Sequence, residues 1–196
     1  MKYSFFALIS RMRNITRWSL MRNSAVENVQ EHSHMVAVIA HALAVISRDI
    51  YERDIDPGSV AAAALFHDAS EIFTGDMPTP IKYFDPDIMS AYKRVETLAS
   101  QKLLMALPSK LRAAYEPLVS ESSDKNVAQF VKAADKLAAY IKCLEELKAG
   151  NNEFKLAGEQ TAKTLHSLKM PEVEYFMQHF IHAFELTLDE LDFSFE

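Results

Sequence analysis

The stretch Val60-Ala61-Ala62-Ala63-Ala64-Leu65-Phe66-His67-Asp68-Ala69-Ser70-Glu71-Ile72-Phe73 decides the fold. Its alanine-rich first half favours a helix, and it offers almost no polar surface until His67. A helix apolar on nearly all sides belongs in the middle of a domain. There, an ionised aspartate beside an imidazole is costly unless something pairs with both. A divalent cation takes a neutral imidazole nitrogen and a carboxylate oxygen together, so the rest of the chain must supply further ligands.

Working outward, the preceding helix begins near residues 23–28 and runs to about Arg48. Its apolar stripe holds His32, Met35, Val36, Ile39, Ala40, Leu43 and Ile46. His34 and His41 fall on its other side. Asp54 to Gly58 reads as a turn. On the central helix Glu71 stands four residues after His67 and three after Asp68, which puts all three on one side. Gly75 suits the position after a helix end, and Asp76-Met77-Pro78-Thr79-Pro80 is a stiffened loop placed to wall a pocket.

A long helix is expected over Asp87 to Ala106, with Tyr92, Val95, Leu98, Ala99, Leu103 and Met105 toward the core. Pro108 starts a shorter one, Glu121 to Asn126 is a connector, and Val127 to Ala149 is another strong helix. On it Asp135 shares a face with Ala128, Val131, Ala138 and Ala139. Lys132 and Lys136 offer it plain ion pairs, the bland explanation. Pro171 sets up the last helix, whose stripe runs from Val173 to Phe184. Near the start, Phe5, Leu8, Ile9 and Met12 mark an amphipathic helix, followed by a polar and aromatic break that contains Arg17-Trp18. In its simplest role Trp18 staples that first helix to the core.

Composition agrees with a single helical domain over residues 1–196: 49% hydrophobic, 24% charged, and only 4 glycines. The net charge of −6 argues against a nucleic-acid polymer or a membrane surface as partner, since either would favour a basic protein. No segment reaches the roughly 18 unbroken apolar residues of a membrane span. The single cysteine, Cys143, suits a reducing compartment, so a cytoplasmic location is expected. No phosphate-cradling glycine loop is present.

Three helices therefore offer His32, His67-Asp68 and Asp135. Two imidazoles and two carboxylates with open positions suit a first-row divalent ion. The order His … His-Asp … Asp resembles the HD-domain phosphohydrolases. Arg17-Trp18, Glu31-His32-Ser33, Phe66 to Glu71, Thr74 to Pro80, Lys142 to Leu147 and Gly150 to Phe154 resemble more closely the bacterial HD-domain 5′-deoxynucleotidases. The resemblance implies an all-α, cytoplasmic, homodimeric enzyme that removes the 5′-phosphate of deoxyribonucleoside 5′-monophosphates with a divalent metal such as cobalt or manganese. It implies His32, His67, Asp68 and Asp135 as metal ligands, Glu71 as acid/base, and Asp76 beside it in the catalytic set. It also implies Arg17 on the phosphate, Trp18 and Asp76 against the sugar where they disfavour a 2′-hydroxyl, and Thr79 on the substrate. The alternatives are another HD phosphohydrolase, acting on a cyclic nucleotide, a triphosphate or an alarmone, and a non-catalytic sensing domain. The first wants more cations than Arg17 and Lys82 supply. The second has no need of Glu71.

Overall fold

The computed structural model describes residues 2–82, 84–120 and 124–191; the side chain of Thr79 lies outside the described set, as do residues 121–123 of the expected connector. The helices are α1 (Phe5–Ile9), α2 (Val29–Asp49), α3 (Pro57–Phe66), α4 (Glu71–Thr74), α5 (Thr79–Lys82), α6 (Pro86–Met105), α7 (Ser109–Val119), α8 (Lys125–Lys148), α9 (Lys155–Ser167) and α10 (Pro171–His179), with short 3₁₀ turns between some of them. Among the described residues there is no strand, only an isolated antiparallel bridge between Thr16 and Asn28. No described helix is long and apolar enough to cross a membrane.

Helix α2 lies at the centre and packs against both α3 and α8. Asn28 caps it by accepting from the backbone of Gln30 and Glu31, and Glu31 reaches back to Asn28 in a capping box. That cap sets the start at Val29, at the late end of the range the sequence suggested. Val36, Ile39, Ala40 and Leu43 bury one face of α2 against Val60 and Ala64 of α3 and Ala134, Leu137 and Ala138 of α8. The small alanines let the three helices approach closely enough for polar groups at their ends to meet. Asp56 caps α3 through Gly58 and Ser59, with Pro57 in its first turn.

Besides the last helix, which stops at His179 and leaves Phe180 46% exposed, three expectations need correction. The central helix does not run unbroken to Phe73. It stops at Phe66, where the His67 ring nitrogen Nδ1 donates to the Ala64 carbonyl at 2.7 Å, and the backbone bonds tighten to three-residue steps (Ala69 to Phe66, 2.9 Å; Glu71 to Asp68, 3.0 Å). A ring that occupies the carbonyl of the preceding turn competes with helix continuation. Second, Val95, Leu98 and Met105 are not core: they are 48%, 63% and 69% exposed, while Tyr92, Ala99 and Leu103 are buried. At roughly 100° per residue, Leu98 and Met105 lie on the outer side of α6. Third, Trp18 does not staple α1. Phe5 does so, buried against Phe66 and Tyr115, while Trp18 packs on Phe154 with ring centres 5.3 Å apart.

Candidate metal and phosphate site

The candidate ligands come from three separate helical elements. His32 sits on the first turn of α2, its N–H donating to the Asn28 carbonyl at 3.0 Å. His67 and Asp68 sit at the break after α3, and Asp135 lies midway along α8. One ligand atom each from His32, His67 and Asp135 lie within 4.8 Å of one another. His32 Nε2 is 3.1 Å from Asp135 Oδ1 and 3.7 Å from Asp68 Oδ2, and His67 Nε2 is 3.1 Å from the same Asp68 oxygen. Asp68 also accepts from Arg17 Nη1 at 3.3 Å, and Asp135 pairs with Lys136 at 3.0 Å. The bland explanation for Asp135 is thus half right: Lys136 holds one oxygen, and His32 faces the other.

The donor chemistry fits a divalent cation. Since Ala64 offers only a carbonyl, His67 carries its proton on Nδ1, and a neutral ring leaves Nε2 as a lone pair. That Nε2 is buried without a hydrogen bond, aimed at a carboxylate. Lone pair against carboxylate is repulsive unless a cation or a second proton lies between them. Without a metal the ring takes the proton: burial opposes this, but Asp68 and then Asp135 outweigh it and raise His67 to about 8. Burial likewise opposes ionisation of Asp68, yet His67 beside it lowers that carboxyl to about 2. Asp135 is held well below the usual carboxylate range despite its burial, by the hydrogen bond with His32 and the charge of Lys136.

Glu71 follows at the start of α4, brought round by the tightened turn instead of by one continuous helix. Burial, with the charges of Asp68 and Asp76, pushes its carboxyl up to about 10, and its Oε2 is buried without a partner. Gly75, at φ +71°, closes α4 by donating to the Glu71 carbonyl at 2.8 Å and turns the chain into Asp76. Burial raises Asp76 as well; its carboxylate accepts from the Trp18 backbone N–H, which pulls the other way. Thr79 opens α5, but its side chain is not among those described.

These features together form a partly buried two-histidine, two-carboxylate cluster with an acidic group and an arginine beside it. A family model described as "5'-deoxynucleotidase YfbR-like" matches residues 4–184. The chain belongs to the YfbR-like 5′-deoxynucleotidase family. Among curated members, a 5′-deoxynucleotidase of Klebsiella pneumoniae is 50% identical over 188 residues, covering 95% of this chain and 94% of that one. Among solved structures, an HD-domain phosphohydrolase from Listeria innocua superposes with a TM-score of 0.81 at 24% identity, over 92% of this chain and 88% of that one. A cyanophage S-2L HD phosphohydrolase, solved bound to dA and one catalytic Zn²⁺, superposes with a TM-score of 0.61 at 18% identity, over 93% and 99% of the two chains. The fold is that of the HD-domain phosphohydrolases.

One group near the site, Glu27, escaped the sequence reading, and the run Lys142 to Leu147 entered it only as part of the family resemblance, with no role given. Glu27 precedes α2 in a loop without periodicity, and its Oε2 accepts from Arg17 Nε at 3.2 Å and Trp18 Nε1 at 3.1 Å. Glu146 and Lys142 form a buried pair on α8 that grips the loop at Ser24 and Ala25. An i,i+4 Lys–Glu pair is indistinguishable in sequence from a solvated one. The available sign was its position beside the buried residues Ile141 and Cys143. Cys143 itself is a buried free thiol, pushed up to about 11 by burial, and so poorly suited to nucleophilic work.

Proposed function

We propose that this protein is a metal-dependent 5′-deoxynucleotidase, releasing phosphate from deoxyribonucleoside 5′-monophosphates. The observation that carries the reading is the meeting of His32, His67 and Asp135 within 4.8 Å, with Asp68 bridging from them to Arg17. His32, His67, Asp68 and Asp135 would hold the ion; cobalt and manganese suit this mixed imidazole and carboxylate set. When bound, such an ion would make a water far more acidic, within reach of neutral pH, and would polarise a phosphoryl oxygen.

The chain's own residues do the rest. Arg17, fixed between Glu27 and Asp68, presents its charge beside the cluster and takes phosphate oxygens through paired N–H groups. Glu71 handles the proton of the attacking water. Its environment makes it hold a proton tightly, and positive charge brought beside Asp68 favours the ionised form that can accept one. Asp76 assists from beside Glu71 and, by gripping the Trp18 backbone, holds the aromatic wall against C2′, where a ribose hydroxyl would collide.

We also propose a homodimer in the cytoplasm. The outward residues Ile88, Ala91, Val95, Leu98, Lys102 and Met105 of α6 repeat at steps of three and four, the spacing of a helix–helix seam, and Leu98 and Met105 are among the most exposed apolar side chains described. A second copy laid along this face would cover them. Leu98→Glu should turn a dimer into a monomer in sedimentation; a wild-type monomer would refute the dimer.

The test of the activity is phosphate release from dAMP and AMP, each with cobalt or manganese and after chelation. Metal-dependent release from dAMP far above AMP is expected. Equal release would remove the deoxy preference, and no release from metal-loaded protein would remove the reaction.

A further inference from the structure

One carboxylate outside the ligand set touches three parts of the site. Glu27 Oε1 faces His32 Nδ1 at 3.7 Å, on the side of the ring opposite Asp68 and Asp135, while Oε2 accepts from both Arg17 Nε and Trp18 Nε1. The same residue's carbonyl accepts from the Arg17 N–H at 3.0 Å, and Val29 N–H donates to Ile15 at 2.9 Å. The loop 15–29 is thereby closed on itself, next to the cluster.

Two features bear on this closure. Trp18 is at φ +56°, a left-handed conformation that side-chain-bearing residues rarely adopt, and such residues persist only where their surroundings over-determine them. Here the surroundings are the Glu27 bond to the indole, the Asp76 bond to the backbone, and the Phe154 ring. Moreover, His32 Nδ1 is buried with no other partner, and a ligating imidazole needs an acceptor on its far nitrogen to fix which nitrogen carries the proton.

We propose that Glu27 is a positioning residue that sets metal affinity and sugar selectivity together. When an ion takes Nε2 in place of the hydrogen bond to Asp135, Oε1 is the acceptor that draws the His32 proton to Nδ1. Through Oε2 it holds Trp18 at the distance that rejects a 2′-hydroxyl and keeps the Arg17 guanidinium in register with the cluster. Its selectivity arm rests on the deoxynucleotidase reading; its metal arm does not.

The test uses the full chain with Glu27→Ala, Glu27→Gln and Trp18→Ala. Manganese affinity is read by calorimetry, the dAMP-to-AMP ratio of kcat/KM by phosphate release, and folding by thermal melting. Glu27→Ala should weaken manganese binding by about 10–100-fold and lower the dAMP-to-AMP ratio to that of Trp18→Ala, with no further fall in the double variant. Glu27→Gln can turn its oxygen toward Trp18 and Arg17, but its nitrogen then faces the His32 proton, so it should keep most of the ratio and still lose manganese affinity. Trp18→Ala should lower the ratio and leave manganese binding as it was. The proposal is overturned if Glu27→Ala changes only the melting temperature, or only one of affinity and ratio. Should Glu27→Ala not fold, Glu27→Gln decides: unchanged manganese affinity overturns the proposal. A wild type that binds manganese but shows no preference for dAMP refutes the activity reading, and the manganese titrations then judge Glu27 alone.

Discussion

Replacing Glu146 by glutamine should destabilise the protein far more than a helix-surface change. Glu146 and Lys142 are both buried, and the carboxylate accepts from Ser24 N (2.8 Å), Ser24 Oγ (2.6 Å), Ala25 N (3.2 Å), Asn151 Nδ2 (2.8 Å) and Lys142 Nζ. All five partners are donors. An amide has one oxygen to offer them, and its own N–H groups then meet donors. Lys142 keeps only the Ala25 carbonyl and the face of Phe154 to offset its buried charge. Breaking a buried pair this way costs about 3–5 kcal/mol. For a chain of this size each kcal/mol shifts Tm by about 2–4 °C, so a fall of roughly 6–20 °C is expected.

The assay is melting by circular dichroism in chelator, repeated across pH. Burial opposes ionisation of Glu146, but Lys142 and Ser24 hold its carboxyl far below its ordinary value of 4.5. Its contribution is therefore complete above about pH 4.5 and is lost as pH falls further, so the gap between wild type and variant should narrow between about pH 5 and 3. A fall under ~2 °C at pH 7 would refute the reasoning. The double change Lys142→Met with Glu146→Leu should recover most of the loss, because it removes both charges.

Other outcomes follow from the site. Asp68→Ala should abolish metal binding and turnover together; full activity in that variant would remove the metal mechanism. Glu71→Gln should bind metal as before and lose about 10²–10⁴ in kcat, the usual worth of a positioned acid or base. Loss of metal would reassign Glu71 as a ligand. Burial opposes a charge on His67 but Asp68 raises it to about 8, and a ligating ring must give that proton up, so manganese affinity should weaken as pH falls through that value, with proton release on binding. An affinity flat from pH 9 to 6 would show that His67 is not a ligand.

The cluster of His32, His67, Asp68 and Asp135 was readable because its members break local rules. His32 interrupts an apolar stripe, Asp68 follows an alanine helix with no polar surface, and Asp135 lies among alanines; polar groups on buried faces demand partners. Arg17, Trp18 and Asp76 carry no such signal and were reached only through the family resemblance. Glu27, in a loop, and Lys142–Glu146, spaced like a surface pair, break no local rule at all.

The sequence alone determined that the fold is helical, where most of the helices lie and that His32, Asp68 and Asp135 need partners, since periodicity and burial cost are properties of the local chain. Where the central helix ends was decided by competition between the His67 ring and the backbone for one carbonyl. Which side of α6 faces inward depended on what packs against it. The link from His32 through Glu27 to Trp18 exists only once the loop 15–29 is folded against α2 and α8. Such contacts join residues whose separation in sequence carries no period, so only the tertiary structure could place them.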